Sequence, residues 1–163
     1  MNVREARSDD VEAAVRAYES SWDAALAPLL GRRLGELVPF EERVTSFHDG
    51  LARTSANAEV WAAELDGEIV GVTVYARSDA ETGELRALYV VPEAWGTGAA
   101  QELMNAALAA MQSGGQRLAI LWVAEENARA RRFYEREGWE PTGETRETPL
   151  GPTELQYALR LRT

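Results

Sequence analysis

The sequence contains no cysteine and no lysine, and its single histidine is His48. Without cysteine the chain forms no disulfide bond, offers no thiolate nucleophile and cannot build a cysteine-based zinc site. Without lysine it has neither the phosphate-binding lysine of a P-loop nor a Schiff-base lysine. We interpret His48 as a partly exposed residue of a loop or helix end, with a catalytic role as the alternative. A lone histidine does not make a histidine-rich site, so we predict no bound metal.

Long apolar runs are absent as well. No segment approaches the roughly eighteen consecutive apolar residues of a membrane span. Residues 1–5 lack the basic and then apolar regions of a signal peptide, so we expect a cytoplasmic protein. The chain has 27 acidic and 17 basic residues and a net charge of −10. Such a surface repels nucleic acid and anionic membranes and tends to attract cationic ligands such as amines, so we expect neither nucleic acid nor membrane as a partner.

Hydrophobic periodicity predicts one α/β domain over residues 1–163. The predicted helices span residues 10–27, where Pro28 and Gly31 end the first of them, a stretch from about Pro39, and residues 98–112 and 127–136. The predicted strands span residues 2–6, 60–65, 69–76, 84–91, 117–123, 139–146 and 154–161. A hairpin turn at residues 66–68 follows a loop at residues 55–57. This order of elements indicates a mixed sheet with helices on both faces.

Gly96 and Gly98 lie between an apolar strand and an amphipathic helix. Glycine lets the backbone approach a ligand without a Cβ in the way, and the first N–H groups of the next helix have no partner within that helix. Such a segment is a typical phosphate cradle. A dinucleotide fingerprint would need a third glycine where Gln101 stands, and a P-loop would need a lysine. A tight turn with a purely structural role is the alternative.

Two segments together resemble the GNAT superfamily of acyl-CoA-dependent N-acetyltransferases. Residues 88–100 combine the strand end LYVVP with the family's Arg/Gln-x-x-Gly-x-Gly/Ala signature, in which Gly98 and Ala100 match and Trp95 replaces the Arg or Gln. Residues 127–139, NARARRFYEREGW, match the pattern Asn-x-x-Ala-x-x-Phe-Tyr-x-x-x-Gly-Phe with Trp139 in the last position. Residues 20–25 also look like the Ser-Trp segment of the substrate-side helix, so the resemblance covers nearly the whole chain.

The resemblance implies a mostly antiparallel sheet of six or seven strands, with a splay between the fourth and fifth strands that holds the pantetheine arm. Acetyl-CoA is then the co-substrate. Its implied contacts are Leu88, Tyr89, Val90, Gly96, Thr97, Gly98, Ala99, Ala100, Gln101 and Asn127. A backbone N–H near Val90 would face the thioester oxygen, and Arg129 or Arg132 would reach a CoA phosphate.

The resemblance also implies catalytic residues. Tyr134 occupies the family's tyrosine position and would protonate the departing thiolate, with aromatic packing as the alternative. Glu84 is the candidate base, because strand alternation would place it on the same face as Val90. The alternative for Glu84 is an exposed carboxylate paired with Arg86, which leaves deprotonation to water and backbone carbonyls. The acceptor pocket is expected to include Trp22, Tyr18, Trp122, Asp23 and Glu19, although its aromatic members could equally belong to the core.

We therefore expect an N-acetyltransferase that acts on a primary amine, either a small molecule or a peptide amino group, by direct attack in a ternary complex. One alternative is a catalytically weak acyl-CoA-binding sensor or interaction module on the same fold. Another is a different phosphate ligand in a fold without the splay. Dimers are common among similar proteins, so a homodimer stays open, as do the acceptor and the exact acyl group.

Overall fold

The computed structural model describes residues 1–53, 58–149 and 151–162, with the side chains of residues 50–53 left aside. The predicted loop at residues 55–57 lies outside these ranges. The strands are β1 (Asn2–Glu5), β2 (Ala58–Leu65), β3 (Glu68–Arg77), β4 (Thr82–Val90), β5 (Leu118–Ala124), β6 (Glu140–Arg146) and β7 (Glu154–Arg160). The helices are α1 (Val11–Leu30), α2 (Leu34–Leu37), α3 (Phe40–Arg53), α4 (Ala99–Ser113) and α5 (Ala128–Arg136). The predicted order of elements is confirmed, with the short helix α2 added.

Helix α1 corrects the prediction that Pro28 ends the first helix. Pro28 lies inside α1, which continues to Leu30 and ends where Gly31 adopts a left-handed conformation with φ of 69°. A proline so close to the end of a helix removes a single hydrogen bond, to the carbonyl four residues earlier. Burial of Leu26 and packing of Leu30 against the same cluster hold the last turn in place.

The seven strands form one sheet in the order β1-β2-β3-β4-β5-β7-β6. Every neighbouring pair is antiparallel except β4 and β5, which are parallel. The β2–β3 hairpin turns at Asp66 and Gly67, whose φ values of 53° and 84° fit a tight two-residue turn within the predicted range of residues 66–68. The predicted mixed, mostly antiparallel sheet is therefore confirmed.

Helices cover both faces of the sheet, as predicted. On one face Ala14 of α1 packs with Val60 and Val72 of the sheet. On the other face Leu103 of α4 packs with Ala63 and Val90. Helix α5 joins the α4 side, where its Tyr134 belongs to the largest buried cluster.

No helix in the described part of the chain is both long and apolar enough to cross a membrane. The helices that are amphipathic direct their apolar side chains to the sheet, which accounts for their composition.

Candidate active site

A cleft of about 770 Å³ opens where β4 and β5 separate. The two strands pair only from Thr82 and Leu118 to Leu85 and Leu121, although both continue well beyond these residues. The backbone edges of the remaining residues therefore face each other across a gap. This is the splay that the sequence predicted between the fourth and fifth strands.

A β-bulge lies at the point where the two strands part. On the β3 side, the register of β4 passes directly from Leu85 to Ala87, so that Arg86 has no partner. A bulge adds one residue to one strand, bends it and increases its twist. We attribute the separation of β4 from β5 to this bend, since the parallel pairing stops at the residue just before Arg86.

Backbone groups of β4 point into the gap. The Val91 N–H donates to the carbonyl of Val70 on β3 at 2.9 Å. Successive residues of a strand direct their backbone groups to opposite edges, so Val90 presents its N–H and C=O toward the gap. The indole Nε1–H of Trp95 donates to the Val90 carbonyl oxygen at 2.9 Å and fixes the orientation of this peptide. The Val90 N–H thus lies where the sequence predicted a backbone donor.

One end of the cleft, which we call the glycine end, is formed by the turn before α4 and by three arginines of α5. Gly96 and Gly98 have φ values of 81° and 91°, a region that favours glycine. A Cβ at either position would meet no protein atom within 4 Å, so both glycines are open to the cleft. The residues of this turn and of the first turn of α4 that line the cleft are Gly96, Gly98, Ala99, Ala100 and Gln101.

Thr97 differs from its neighbours in the turn. Its hydroxyl donates to the Ala94 carbonyl at 2.7 Å, and its N–H donates to the same oxygen at 3.3 Å. Thr97 is also absent from the residues that line the cleft. Of the predicted cofactor contacts, Thr97 is therefore the one that shapes the turn from outside.

The arginines of the glycine end are Arg129, Arg132 and Arg136. Within the described residues none of the three forms an ion pair. The Arg129 guanidinium lies 3.6 Å from the centre of the Trp95 ring, which is a close cation–π contact. Burial, followed by repulsion from Arg132 and Arg136, lowers the pKa of Arg129, although at neutral pH it stays charged. The result is a concentrated positive charge on a strongly acidic protein.

Helix α5 lies against the middle of the cleft and contributes Tyr134 and its capping residue Asn127 to the lining. The Asn127 side chain caps α5 by accepting the Ala130 N–H at 3.2 Å, and both residues line the cleft. Tyr134 lines it as well and packs edge-on against Trp139 with ring centroids 6.1 Å apart. Burial raises the pKa of Tyr134 well above its usual value, so the hydroxyl is protonated at neutral pH. It forms no hydrogen bond within the described residues and is available to a ligand.

The opposite end of the cleft, which we call the aromatic end, is formed by Tyr18, Trp22, Tyr89, Trp122 and Glu154. The predicted pocket residues Tyr18, Trp22 and Trp122 are thus brought together here. The Tyr18 and Tyr89 rings lie 4.3 Å apart at an angle of 36°. Leu88, Tyr89 and Val90 line the passage between the two ends.

Two acidic residues expected near the acceptor have structural partners instead. Glu19 pairs with the buried guanidinium of Arg43 at 3.2 Å, and Asp23 accepts the Leu34 N–H at 2.7 Å at the start of α2. Neither lines the cleft. His48 is exposed on α3, away from the cleft, as a residue of a helix.

The prediction that Glu84 shares a face with Val90 is wrong. Leu85 packs with Met104 and Met111 of α4, and Val90 packs with residues of the same helix. Glu84, as the neighbour of Leu85, therefore points to the opposite face. The bulge at Arg86 reverses the alternation on which the prediction depended. Glu84 does not line the cleft, and its Oε2 lies 3.5 Å from the Arg86 Nε, the pairing considered as the alternative.

Sequence reasoning missed Glu154 and the contact between Arg129 and Trp95. Glu154 lies beyond both recognised motifs, at the start of β7, and its carboxylate carried no local signal. Arg129 and Trp95 are far apart in the chain, but the departure of Trp95 from the usual Arg or Gln was a signal that a cation could come from another element.

A sequence model of the acetyltransferase (GNAT) family matches residues 12–139, most of the chain. The chain belongs to this acetyltransferase family. This GNAT protein is accordingly an acyltransferase. The matched span includes the glycine end and Tyr134 but stops before β6 and β7, so Glu154 lies outside it.

Relatives of this GNAT protein carry the same general description. An uncharacterized N-acetyltransferase of Archaeoglobus fulgidus is 32% identical over 142 residues, which cover 82% of this chain and 89% of the relative. An uncharacterized N-acetyltransferase of Mycobacterium bovis is 36% identical over 118 residues, which cover 68% of this chain and 75% of the relative.

Solved structures share the fold of this GNAT protein at low identity. The PaiA N-acetyltransferase of Thermoplasma acidophilum in complex with coenzyme A superposes with a TM-score of 0.75 and 17% identity, covering 95% of this chain and 96% of the other. A Salmonella typhimurium protein with acetyl-CoA gives a TM-score of 0.73 and 18% identity, covering 100% and 95%. In the described residues of this GNAT protein, no group of three or more His, Cys, Asp or Glu side chains is placed to hold a metal ion.

Proposed function

We propose that this protein transfers an acetyl group from acetyl-CoA to a primary amine by direct attack in a ternary complex. The observation that carries the proposal is the continuous cleft through the β4–β5 gap, which joins a cationic glycine end to an aromatic end with Tyr134 between them. A continuous cleft can bring two substrates together in its middle.

The glycine end fits the phosphates of coenzyme A. Its residues offer open backbone at Gly96 and Gly98, the first turn of α4, and three arginines without an acidic partner among the described residues. The N-terminus of a helix and arginine side chains both favour phosphate. In two proteins of this fold, coenzyme A or acetyl-CoA is bound. These facts support coenzyme A as the ligand of the glycine end.

Two groups in the middle of the cleft have assigned tasks in this proposal. When bound, the thioester supplies a carbonyl carbon for attack and a thiolate that leaves. The Val90 N–H donates to the carbonyl oxygen as negative charge develops on it, which is the usual work of an oxyanion hole. Tyr134 donates its proton to the leaving sulfur, and the burial that keeps this hydroxyl protonated suits it to act as an acid.

The side chains around the cleft support direct attack. A covalent acetyl-enzyme would need an activated nucleophile. The chain has no cysteine, and His48 lies outside the cleft, so among the described residues no serine of the cleft has a histidine that could act as its base. Deprotonation of the amine is assigned to water and to backbone carbonyls in the gap, because Glu84 points to the face opposite Val90 and is held by Arg86.

Thermal unfolding with and without nucleotides tests the first half of the proposal. Acetyl-CoA at about one hundred times its Kd should raise the Tm by roughly 5–10 °C for a protein of this size. NAD should give no such rise, since the glycine turn lacks the dinucleotide fingerprint. No shift at millimolar acetyl-CoA contradicts the proposal.

Release of the CoA thiol over a panel of amines tests the second half. A thiol reagent such as DTNB gives no background from a protein without cysteine. Acetyl-CoA-dependent thiol release that requires an amine supports the proposal.

A second candidate function is an acyl-CoA sensor with little turnover. It is favoured by Trp122, because some similar acetyltransferases have a glutamate that acts as the base at the position that Trp122 occupies here. Acetyl-CoA binding without thiol release for any amine would select this candidate over the enzyme.

A further inference from the structure

The aromatic end of the cleft has walls suited to an apolar group. Tyr18 and Trp22 come from α1, Tyr89 from β4 and Trp122 from β5. Trp22 is 7% exposed, and the paired rings of Tyr18 and Tyr89 form a continuous surface. Aromatic faces carry partial negative charge, so such walls can accept both an apolar body and a cation.

Glu154 places one carboxylate among these rings. Two acidic residues line the described cleft, and the other, Glu137, lies at the glycine end, where it accepts a hydrogen bond from Gln101 at 3.2 Å. Glu154 begins β7 opposite Ala124 of β5. Its side chain is 21% exposed, so its charge is only partly screened by water.

Arg146 holds this carboxylate in a defined position. The Arg146 Nε donates to Glu154 Oε1 at 2.7 Å, while the guanidinium lies over the Trp122 ring at 4.5 Å. The Arg146 side chain is 47% exposed, so water screens its charge more than that of Glu154. Glu154 Oε2 has no hydrogen-bond partner in the described part of the chain and can accept from a ligand.

The electrostatic effect of Glu154 reaches the rings. Burial is the main cause that raises the pKa of both Tyr18 and Tyr89, and the negative charge of Glu154 adds to the rise in each case. Arg43 acts in the opposite sense on Tyr18 alone. The carboxylate therefore acts on the space that these hydroxyl groups border.

We propose that the aromatic end binds a small organic molecule with a primary ammonium group on an apolar or aromatic body, and that Glu154 is the residue that recognises the ammonium. This inference depends on the proposed function, because it names the acceptor of that reaction. The ammonium first donates to Glu154 Oε2, and the body of the molecule packs between the rings of Trp22 and Trp122. The ammonium then loses a proton to water, as in the proposed function, and the neutral amine attacks the thioester carbon. Because β7 lies outside the span matched by the family model, that match assigns no role to Glu154.

An amine panel tests the class of acceptor. With saturating acetyl-CoA we expect kcat/KM for 2-phenylethylamine and n-hexylamine to exceed that for putrescine and for a short peptide with a free N-terminus by about tenfold or more, since the walls offer apolar contact. A preference for putrescine or for the peptide overturns the inference. It leaves the proposed function intact, because acetyl-CoA binding and amine acetylation are then still observed.

Substitution of the carboxylate tests the role of Glu154. Glu154→Gln should raise KM for 2-phenylethylamine about tenfold or more, because a charged hydrogen bond to the ammonium is lost. The acetyl-CoA-induced rise in Tm should be unchanged, which also shows that the variant is folded. Glu144→Gln is the matched control, since Glu144 is exposed on β6 and does not line the cleft. An amine KM that is the same in Glu154→Gln and Glu144→Gln overturns the inference.

A second variant covers the case in which Glu154→Gln does not fold. Trp122→Leu removes one aromatic wall and keeps the carboxylate. We expect KM for 2-phenylethylamine to rise several-fold more than KM for n-hexylamine, because only the aromatic amine loses a ring contact. Equal changes for the two amines contradict the proposed position of the acceptor.

Discussion

The glycine end and the aromatic end of the cleft differ in how they are built. The glycine end comes from two continuous segments, the turn with the start of α4 and the single helix α5. It offers backbone groups and three arginines of the same charge. The aromatic end combines side chains from α1, β4, β5 and β7, and it contains a single carboxylate. A ligand of constant structure can be held by repeated, local features, whereas a particular acceptor needs individual side chains from separate elements.

Tyr134→Phe should have the largest effect on activity, because Tyr134 lies in the middle of the cleft, between its two ends, and is the proposed proton donor. We expect turnover to fall about 100-fold, within the range found for the loss of a general acid. The Kd for acetyl-CoA should be unchanged, since the ring and its packing are kept. Single-turnover kinetics and calorimetry measure the two quantities. Tyr75→Phe is the control, a buried tyrosine outside the cleft. Turnover equal to that of the control would remove Tyr134 from the acid role.

Arg129→Ala should weaken the glycine end alone. Loss of a charged contact to phosphate should raise the Kd for acetyl-CoA about tenfold, with a smaller effect at high salt. KM for the amine should stay constant, which is the contrast with Glu154→Gln. Arg117→Ala, an exposed arginine before β5 and outside the cleft, provides the control. A change in amine KM as large as the change in Kd would mean that the two ends are not separate.

Trp95→Phe tests a single hydrogen bond of the glycine end. The ring keeps its stacking with Arg129, but the donor to the Val90 carbonyl is lost. A net contribution of about 1 kcal/mol for one hydrogen bond predicts acetyl-CoA binding about fivefold weaker. Trp61→Phe removes an indole N–H elsewhere in the sheet and should leave the Kd unchanged. Binding equal to that of the control would show that Trp95 acts through its ring only.

Alkaline pH should affect the tyrosines of the cleft and not the glycine end. The folded pKa values of Tyr18, Tyr89 and Tyr134 are raised, mainly by burial, above the unfolded value of about 10. Their contribution to stability is complete below pH 10 and is lost as the pH rises through the pKa values of the folded state. The reason is that these tyrosines ionise at a lower pH in the unfolded chain than in the folded chain. Urea unfolding midpoints should therefore fall above pH 10, and less steeply in Tyr134→Phe. Equal slopes in the two proteins would contradict this.

The glycine end was predictable from sequence because its signals are local. Gly96 and Gly98 take the left-handed conformation that their turn requires, and Asn127 caps the helix that its motif predicted. Strand alternation failed at Glu84, because a bulge leaves no mark in the pattern of apolar residues. Glu154 could not be predicted as a site residue, since its place in the cleft depends on where β7 lies relative to α1 and β5. The prediction at Pro28 failed because α1 continues for two residues beyond it, to Leu30, in spite of the one hydrogen bond that a proline removes.

The unpaired residue Arg86 has a consequence for how this sequence can change. Leu85 and Val90 face the same helix only because the one additional residue restores their phase. Deletion of Arg86 would remove the bulge without exchanging the sides of the residues after it, because Leu85 and Val90 would then be four residues apart in a regular strand. Val90 would still face α4, but β4 should stay paired with β5 past Leu85, and the gap between the two strands should close. A single deletion should therefore abolish the cleft in a protein that keeps its sheet and its core, so one surplus residue separates a plain α/β fold from one that can hold a substrate between its strands.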